Sequence, residues 1–235
     1  MIKIRRNWDK QLNMKTYIKY SVPILFLTGI LLARAQTSEP QMNLTWQTRT
    51  YAPASYPGKH LPSGNSRVFL ALDVVQNGKV ADLSGQDIYW YRKDELFASG
   101  RGLVRTEFTT PGIALGSLDI RAEVLGLSLI KTISLPMTVP VAVIEAPFPG
   151  GQFKEKSITI TAQPFFFNVP NMSWLTYEWS VNGKSPDSSE MPQALVINVN
   201  PGTADGYKMN ISLKIVNPVA DLESASQNAA LTYRQ

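Results

Sequence analysis

Residues 118–124 read Leu-Asp-Ile-Arg-Ala-Glu-Val, with Leu118, Ile120, Ala122 and Val124 on one parity and Asp119, Arg121 and Glu123 on the other. Successive side chains of an extended chain point to opposite faces, so this alternation specifies a half-buried strand with one dry and one wet face. From Gln36 onward no stretch of a dozen residues combines helical apolar spacing with capping signals, and short runs take its place. Strands are predicted at 67–75, 87–91, 103–108, 118–124 and 131–135, then at 141–144, 157–162, 176–181, 194–199, 208–216 and 229–233. The punctuation between them is turn chemistry. Asn77-Gly78 supplies the positive φ angles of a tight hairpin, and Pro-Gly-Gly, Asn-Gly-Lys and Asn-Pro-Gly follow later.

The run Pro136-Met137-Thr138-Val139-Pro140 marks a joint, because each proline lacks the amide that would continue a central ladder. The halves on either side repeat. With Trp90 set on Trp179, Phe108 and Ile197 each lie 18 residues after their tryptophan, and Gly116 and Gly206 lie 26 and 27 residues after. A unit of about 95 residues, with six or seven short strands and one Trp on the third, has the pattern of an immunoglobulin-like sandwich. The Trp has a packing reason: a core about 10 Å thick is filled from both inner faces, and a Trp on a central strand covers much of it.

The segments 87–100 (DIYWYRKDELFASG), 116–126 (GSLDIRAEVLG), 176–184 (TYEWSVNGK) and 206–218 (GYKMNISLKIVNP) resemble bacterial Ig-like or PKD-type repeats, and the resemblance covers most of residues 43–235. It implies an all-β fold of two tandem Ig-like (Greek-key) β-sandwiches, at 43–138 and 139–235. Trp90 and Trp179 are then structural core residues. Tyr207 is placed with them as a tyrosine-corner residue, although Asp205 stands only two positions before it. Spacing, adhesion or assembly outside the cytoplasm is the role that such repeats imply.

Composition removes several chemistries. The chain has no Cys and one His, His60, so disulfides, thiol nucleophiles and Cys/His or multi-histidine metal centres are excluded. Its formal charge of +5 comes from residues 1–35, which hold seven Lys/Arg and one Asp and leave sixteen basic against seventeen acidic residues. The remaining 200 residues therefore lack the basic footprint of a nucleic-acid-binding surface, and no nucleic-acid partner is expected.

Those first 35 residues read as a signal segment. Lys15 and Lys19 precede the apolar run 21–33, SVPILFLTGILLA, which closes on Ala33-Arg34-Ala35. A basic n-region, a 13-residue h-region and an A-x-A site predict cleavage after Ala35. The alternative is an uncleaved signal anchor through residues 20–33, although these 14 positions fall short of the roughly 20 that cross a bilayer. Met14 opens a signal of ordinary length and competes with Met1 as the start. Residues 36–42 are expected to be a disordered leader.

The remaining constellations are sparse. His60 lies in the loop Tyr56-Pro57-Gly58-Lys59-His60-Leu61-Pro62 without a local nucleophile or acid partner, and reads as an exposed loop residue. Asp94-Glu95, Asp187 and Glu190 lack calcium-loop spacing. The sequons at Asn43, Asn171 and Asn210 are formal matches. Phe165-Phe166-Phe167, followed by Trp174, is the most informative segment, because three consecutive aromatics on one strand cannot all face inward. Phe165, Phe166, Phe167 and Trp174 are thus candidate contacts for a partner or glycan; burial against the joint, or a bulge, is the other reading. No catalytic residue, metal or cofactor is expected. The sequence points to a non-enzymatic structural or binding module of the cell envelope or surface, periplasmic, extracellular or membrane-anchored, with an envelope or extracellular protein as partner. A carbohydrate-binding module using exposed aromatics is the alternative.

Overall fold

A computed structural model describes residues 39–112, 116–186, 191–220 and 222–235. The processing site at Ala33 and Ala35, both candidate starts, the run 20–33, and Asp187 and Glu190 lie outside the described residues. Regular structure among the described residues is strand, interrupted only by three short 3-10 turns.

The first half contains β1 (Gln41–Thr48), β2 (Arg67–Gln76), β3 (Lys79–Val80), β4 (Asp87–Arg92), β5 (Glu95–Arg101), β6 (Arg105–Thr109), β7 (Gly116–Val124) and β8 (Leu129–Met137). β2 carries β1 on one edge and β6 with the short β3 on the other; the second sheet runs β5-β4-β7-β8. Alternation decides the faces. Val68, Leu70, Leu72 and Val74 of β2 are buried against Trp90 and the Leu118, Ile120, Ala122 and Val124 row of β7. The opposite parity of β7 is wet, and there the Arg121 guanidinium sits 4.1 Å from the Tyr91 ring centroid and pairs with Glu123.

The second half contains β9 (Val141–Glu145), β10 (Gln152–Phe153), β11 (Ser157–Phe165), β12 (Thr176–Val181), β13 (Ala194–Asn198), β14 (Lys208–Val216) and β15 (Ser224–Tyr233). Its sheets run β13-β11-β9 and β10-β15-β14-β12. In each half the chain passes from one sheet (β2, β11) to the other (β4, β12), returns (β6, β13), and crosses again (β7, β14). That is the Greek-key path of an Ig-like sandwich, and the protein is all-β with two such units. Each has its own apolar core.

The repeat extends to side-chain chemistry. Trp90 and Trp179 are buried, and each indole Nε1–H donates to a carbonyl 13 residues later, Leu103 O at 2.9 Å and Pro192 O at 3.0 Å. A ring this large can fill the core only if its one polar atom is satisfied, and the chain returning between sheets supplies the acceptor in both halves. Phe108 and Ile197 occupy equivalent inward positions on β6 and β13. Gly116, at the start of β7, and Gly206, just before β14, share φ angles of +83° and +78°, a conformation that side chains with a Cβ rarely adopt.

Three expectations change. The first strand begins at Gln41, inside the residues read as leader, and Met42 is a core residue. β5 escapes the sequence reading because its small residues Ala98, Ser99 and Gly100 do not alternate with apolar ones. Tyr207 is not a core residue: it is 46 % exposed, just outside β14, and its hydroxyl accepts a hydrogen bond from Asn182 Nδ2 at 3.1 Å instead of closing a corner. Pro136 lies within β8, where it is tolerated because β8 pairs only with β7 and its other edge needs no donor.

Replacing Trp90 by Phe keeps most of the apolar volume but leaves Leu103 O without its donor. Trp90→Phe should therefore lower the unfolding free energy by about 1–3 kcal/mol and Trp90→Ala by about 3–5 kcal/mol, measured as urea midpoints by circular dichroism. Trp179→Phe should cost a similar amount, since its bond is the same.

Candidate functional site

The aromatic run is where the two sandwiches meet. On β11 the inward parity is Ile158, Ile160, Ala162 and Pro164, which directs Phe165 outward. Strict alternation would send Phe166 in and Phe167 out. Phe166 instead takes a φ of +62°, which redirects the chain so that Phe166 and Phe167 are both buried. Phe167 enters the second core, while Phe165 and Phe166 meet the Tyr56 ring edge-on at 5.7 and 5.6 Å. The left-handed backbone costs on the order of 1 kcal/mol, which burial of two aromatic rings offsets.

Backbone and side chains then fasten the joint. Tyr51 N–H donates to Phe167 O at 2.7 Å and Phe166 N–H to Tyr51 O at 2.6 Å, so a segment following β1 packs on the second core. Asn168 forms the hub. Its Oδ1 accepts from Ser66 Oγ at 2.7 Å; its Nδ2 donates to Gly64 O at 2.8 Å and to Glu223 Oε1 at 2.9 Å; its backbone N–H reaches the same carboxylate oxygen at 2.7 Å. Asn217 Nδ2 donates to Glu223 Oε2 at 2.5 Å. The buried Glu223 carboxylate is thus held by amide N–H groups alone, the condition under which burying a charge is tolerated. His60 belongs to this region too: it is half-buried, and because Thr50 O can only accept, its Nδ1 carries the proton in their 2.6 Å bond.

Of the four aromatics expected as contacts, Phe166 and Phe167 are buried, Phe165 is half-buried under Tyr56, and Trp174 is exposed at 57 %. Trp174 sits on a one-turn 3-10 segment, Met172–Trp174. Asn171 caps that turn by accepting from Ser173 N–H at 3.0 Å, Leu175 anchors it in the core, and Tyr177 OH donates to Met172 O at 2.9 Å. The ring is thus presented by a locally fixed backbone.

Thr176↔Val216 is the last pair of β12 with β14, so the residues just before Thr176 and those just after Val216 emerge at the same end of the sheet. The turn from Asn217 to Glu223 is closed by Asn217 N–H to Glu223 O at 2.9 Å and Glu223 N–H to Ala220 O at 2.8 Å. Val219 and Leu222 stand on it 77 % and 86 % exposed. Trp174, Val219 and Leu222 are thus large exposed apolar side chains at the same end of the second sandwich, the joint end, and make up its apolar knob. The sequence reading missed the two aliphatics. Their signal is present in Asn217-Pro218-Val219-Ala220-Asp221-Leu222, where a hairpin connection carries large apolar residues in place of polar ones.

The end of the first sandwich facing the joint has an open cleft of about 710 Å³ whose lining includes Asn65, Arg92, Lys93, Asp94, Glu95 and Gly112. Arg92 and Glu95 pair there at 3.1 Å across the β4–β5 turn. Among the described residues no three His, Asp or Glu side chains are gathered as metal ligands.

Asn168→Ala removes every hydrogen bond made by that amide and leaves Glu223 Oε1 with one donor. It should lower stability by about 1–3 kcal/mol and separate the unfolding of the two sandwiches, seen as two calorimetric transitions in place of one. Burial, with the Tyr51 hydroxyl second, pushes the Tyr177 phenol up to about 12. Since the folded state holds this proton more tightly than the unfolded chain, stability is full below pH about 10 and is lost as pH rises through about 12. Tyr177→Phe should remove that alkaline loss from a pH series of unfolding midpoints.

No family model matches this chain, and no curated protein does. Among solved structures it is similar to the fibronectin(III)-like modules of Clostridium thermocellum CbhA, at 12 % identity over 81 % of this chain and 95 % of that one, with a TM-score of 0.29. It is also similar to three N-terminal domains of the bacteriophage RB49 highly immunogenic outer capsid protein, at 13 % identity over 83 % and 59 %, with a TM-score of 0.42. A third is the C-terminal 282-residue fragment of intimin in complex with the intimin-binding domain of the translocated intimin receptor, at 14 % identity over 85 % and 64 %, with a TM-score of 0.28.

Proposed function

We propose that this chain is a non-enzymatic module of the cell envelope or surface, exported by its N-terminal segment, that holds two sandwiches together at a fastened joint and presents the Trp174, Val219 and Leu222 knob to a protein partner. The observation that carries the reading is the exposure of three large apolar side chains on turns whose backbones are fixed by capping and cross-turn hydrogen bonds. Apolar groups held rigidly in water cost little further entropy when a partner covers them, and a Trp is a favoured anchor at the centre of such contacts. The support for a non-catalytic role is the composition: one histidine, used at Nδ1 to hold Thr50 O, and no thiol.

Crosslinking in intact cells, followed by capture of the crosslinked species, tests it. Trp174→Ala and Leu222→Ser are surface changes and should leave the unfolding midpoint unchanged while weakening binding to the captured partner about 30-fold or more, the equivalent of about 2 kcal/mol at an anchor residue. Equal capture by wild type and both variants would remove the knob from the binding surface. The glycan reading is favoured by the free face of the Trp174 indole alone; it predicts binding on a glycan array that Trp174→Ala abolishes and Leu222→Ser spares.

A further inference from the structure

The opposite end of the first sandwich carries a second apolar patch. The turn between β7 and β8 is Leu125-Gly126-Leu127; Leu125 and Leu127 are 53 % and 36 % exposed, and Ile130, facing outward opposite Glu123, is 63 % exposed. Nothing in the proposed partner contact uses these residues, which lie at the end of the first sandwich away from the joint.

The place where the chain enters this sandwich indicates what covers them. β1 packs beside β8 across the edge of the sandwich. Both strands run toward the joint: β1 is followed by Tyr51, bridged to Phe167, and β8 by Thr138, whose N–H donates to Pro62 O at 3.0 Å. Their starts, Gln41 and Leu129, therefore share the far end, so the chain enters the sandwich at the end that carries Leu125, Leu127 and Ile130. Upstream in the sequence, the apolar run 20–33 is separated from Gln41 by only residues 34–40, which extend at most about 25 Å. A retained run of 14 uncharged residues is shorter than a bilayer core, and such a mismatch is met by thinning of the bilayer and by flanking basic side chains such as Lys19 and Arg34 reaching to the interfaces, which would keep the residues that follow close to the surface.

We propose that the β7–β8 turn, through Leu125, Leu127 and Ile130, rests in the interfacial layer of the membrane that holds residues 20–33, setting the first sandwich down on the bilayer and pointing the joint and the second sandwich away from it. This rests on the reading in which that run is retained as an anchor. The occupant is the lipid surface because a short tether brings this patch, and not the Trp174 knob, within reach of it.

The absence of cysteine gives a direct test. The full chain is synthesised into vesicles of phosphatidylethanolamine and phosphatidylglycerol with a single cysteine, Leu127→Cys or, at the far end of the second sandwich, Asn200→Cys, each carrying an environment-sensitive fluorophore. The result expected is a blue shift and quenching by nitroxide-bearing lipids at position 127 and neither at position 200, with the effect lost when Leu125→Ser and Ile130→Ser are added and the unfolding midpoint kept. Co-flotation with the vesicles but no difference between the two labels would overturn the tip contact while leaving the anchor reading in place. Failure to co-float would overturn both. A blue shift at 127 that needs no vesicles and grows with protein concentration would show a second copy covering the patch, and would overturn the proposal.

Discussion

The polar fastening between the two halves is built around one primary amide. Asn168 has three polar groups in its side chain and backbone N–H to satisfy, and it spends all of them at the joint, on Ser66, Gly64 and Glu223. The arrangement is mutual, because Glu223 is buried and would be a large liability without those donors. The Ser63–Ser66 loop depends on it as well: Ser63 N–H donates to Ser66 Oγ at 2.8 Å and Thr110 Oγ1–H to Ser63 O at 2.7 Å, so the loop is already shaped when it receives Asn168. A polar network that is complete specifies one geometry, since any other relative placement of the halves would leave several buried groups unpaired.

Around this hub the apolar contacts are arranged by a single backbone departure. Had Phe166 kept the extended conformation of β11, Phe167 would project to the surface and the Tyr51 ladder could not form. With φ at +62° the chain turns under the first sandwich, and two aromatic rings and a two-bond bridge follow from one residue. The same turn delivers Asn168 to the Ser63–Ser66 loop. Local strain is therefore repaid at once by packing and by hydrogen bonds, and the joint is a cooperative unit in which neither the aromatic nor the polar part stands alone.

The division of labour between the two ends of the molecule follows from the Greek-key path. Strand order puts the hairpin connections of β7–β8 and β14–β15 at the ends of their sandwiches, and both connections carry large apolar residues that remain uncovered. In the second sandwich the connection lies beside the joint and carries Val219 and Leu222 at the same end as Trp174; in the first it lies at the end where the chain enters and carries Leu125 and Leu127. Equivalent loops of a repeated fold have thus been given apolar surfaces at different positions along the molecule, which is how a tandem arrangement acquires two distinct faces from one architecture.

The amino-acid sequence by itself determined the class of fold, because its information is local and periodic. Alternation along 118–124 and 208–216 assigns faces, Asn-Gly and Pro-Gly pairs assign turns, and the matched positions of Trp90 with Trp179 and Gly116 with Gly206 reveal a repeat whose indole bonds and glycine dihedrals coincide in the structure. The sequence also marked 165–174 as unusual, and left open which of its rings faced water. That was decided by tertiary structure, since exposure of Phe165–Phe167 depends on Tyr51 and Tyr56, more than a hundred residues earlier, and on a φ angle that no propensity for Phe would suggest. Tyr207, Glu223 and the Val219–Leu222 knob are likewise products of which loops the fold brings together. Periodicity records which side of its own strand a residue occupies; what stands opposite that side is set by packing between elements distant in the chain.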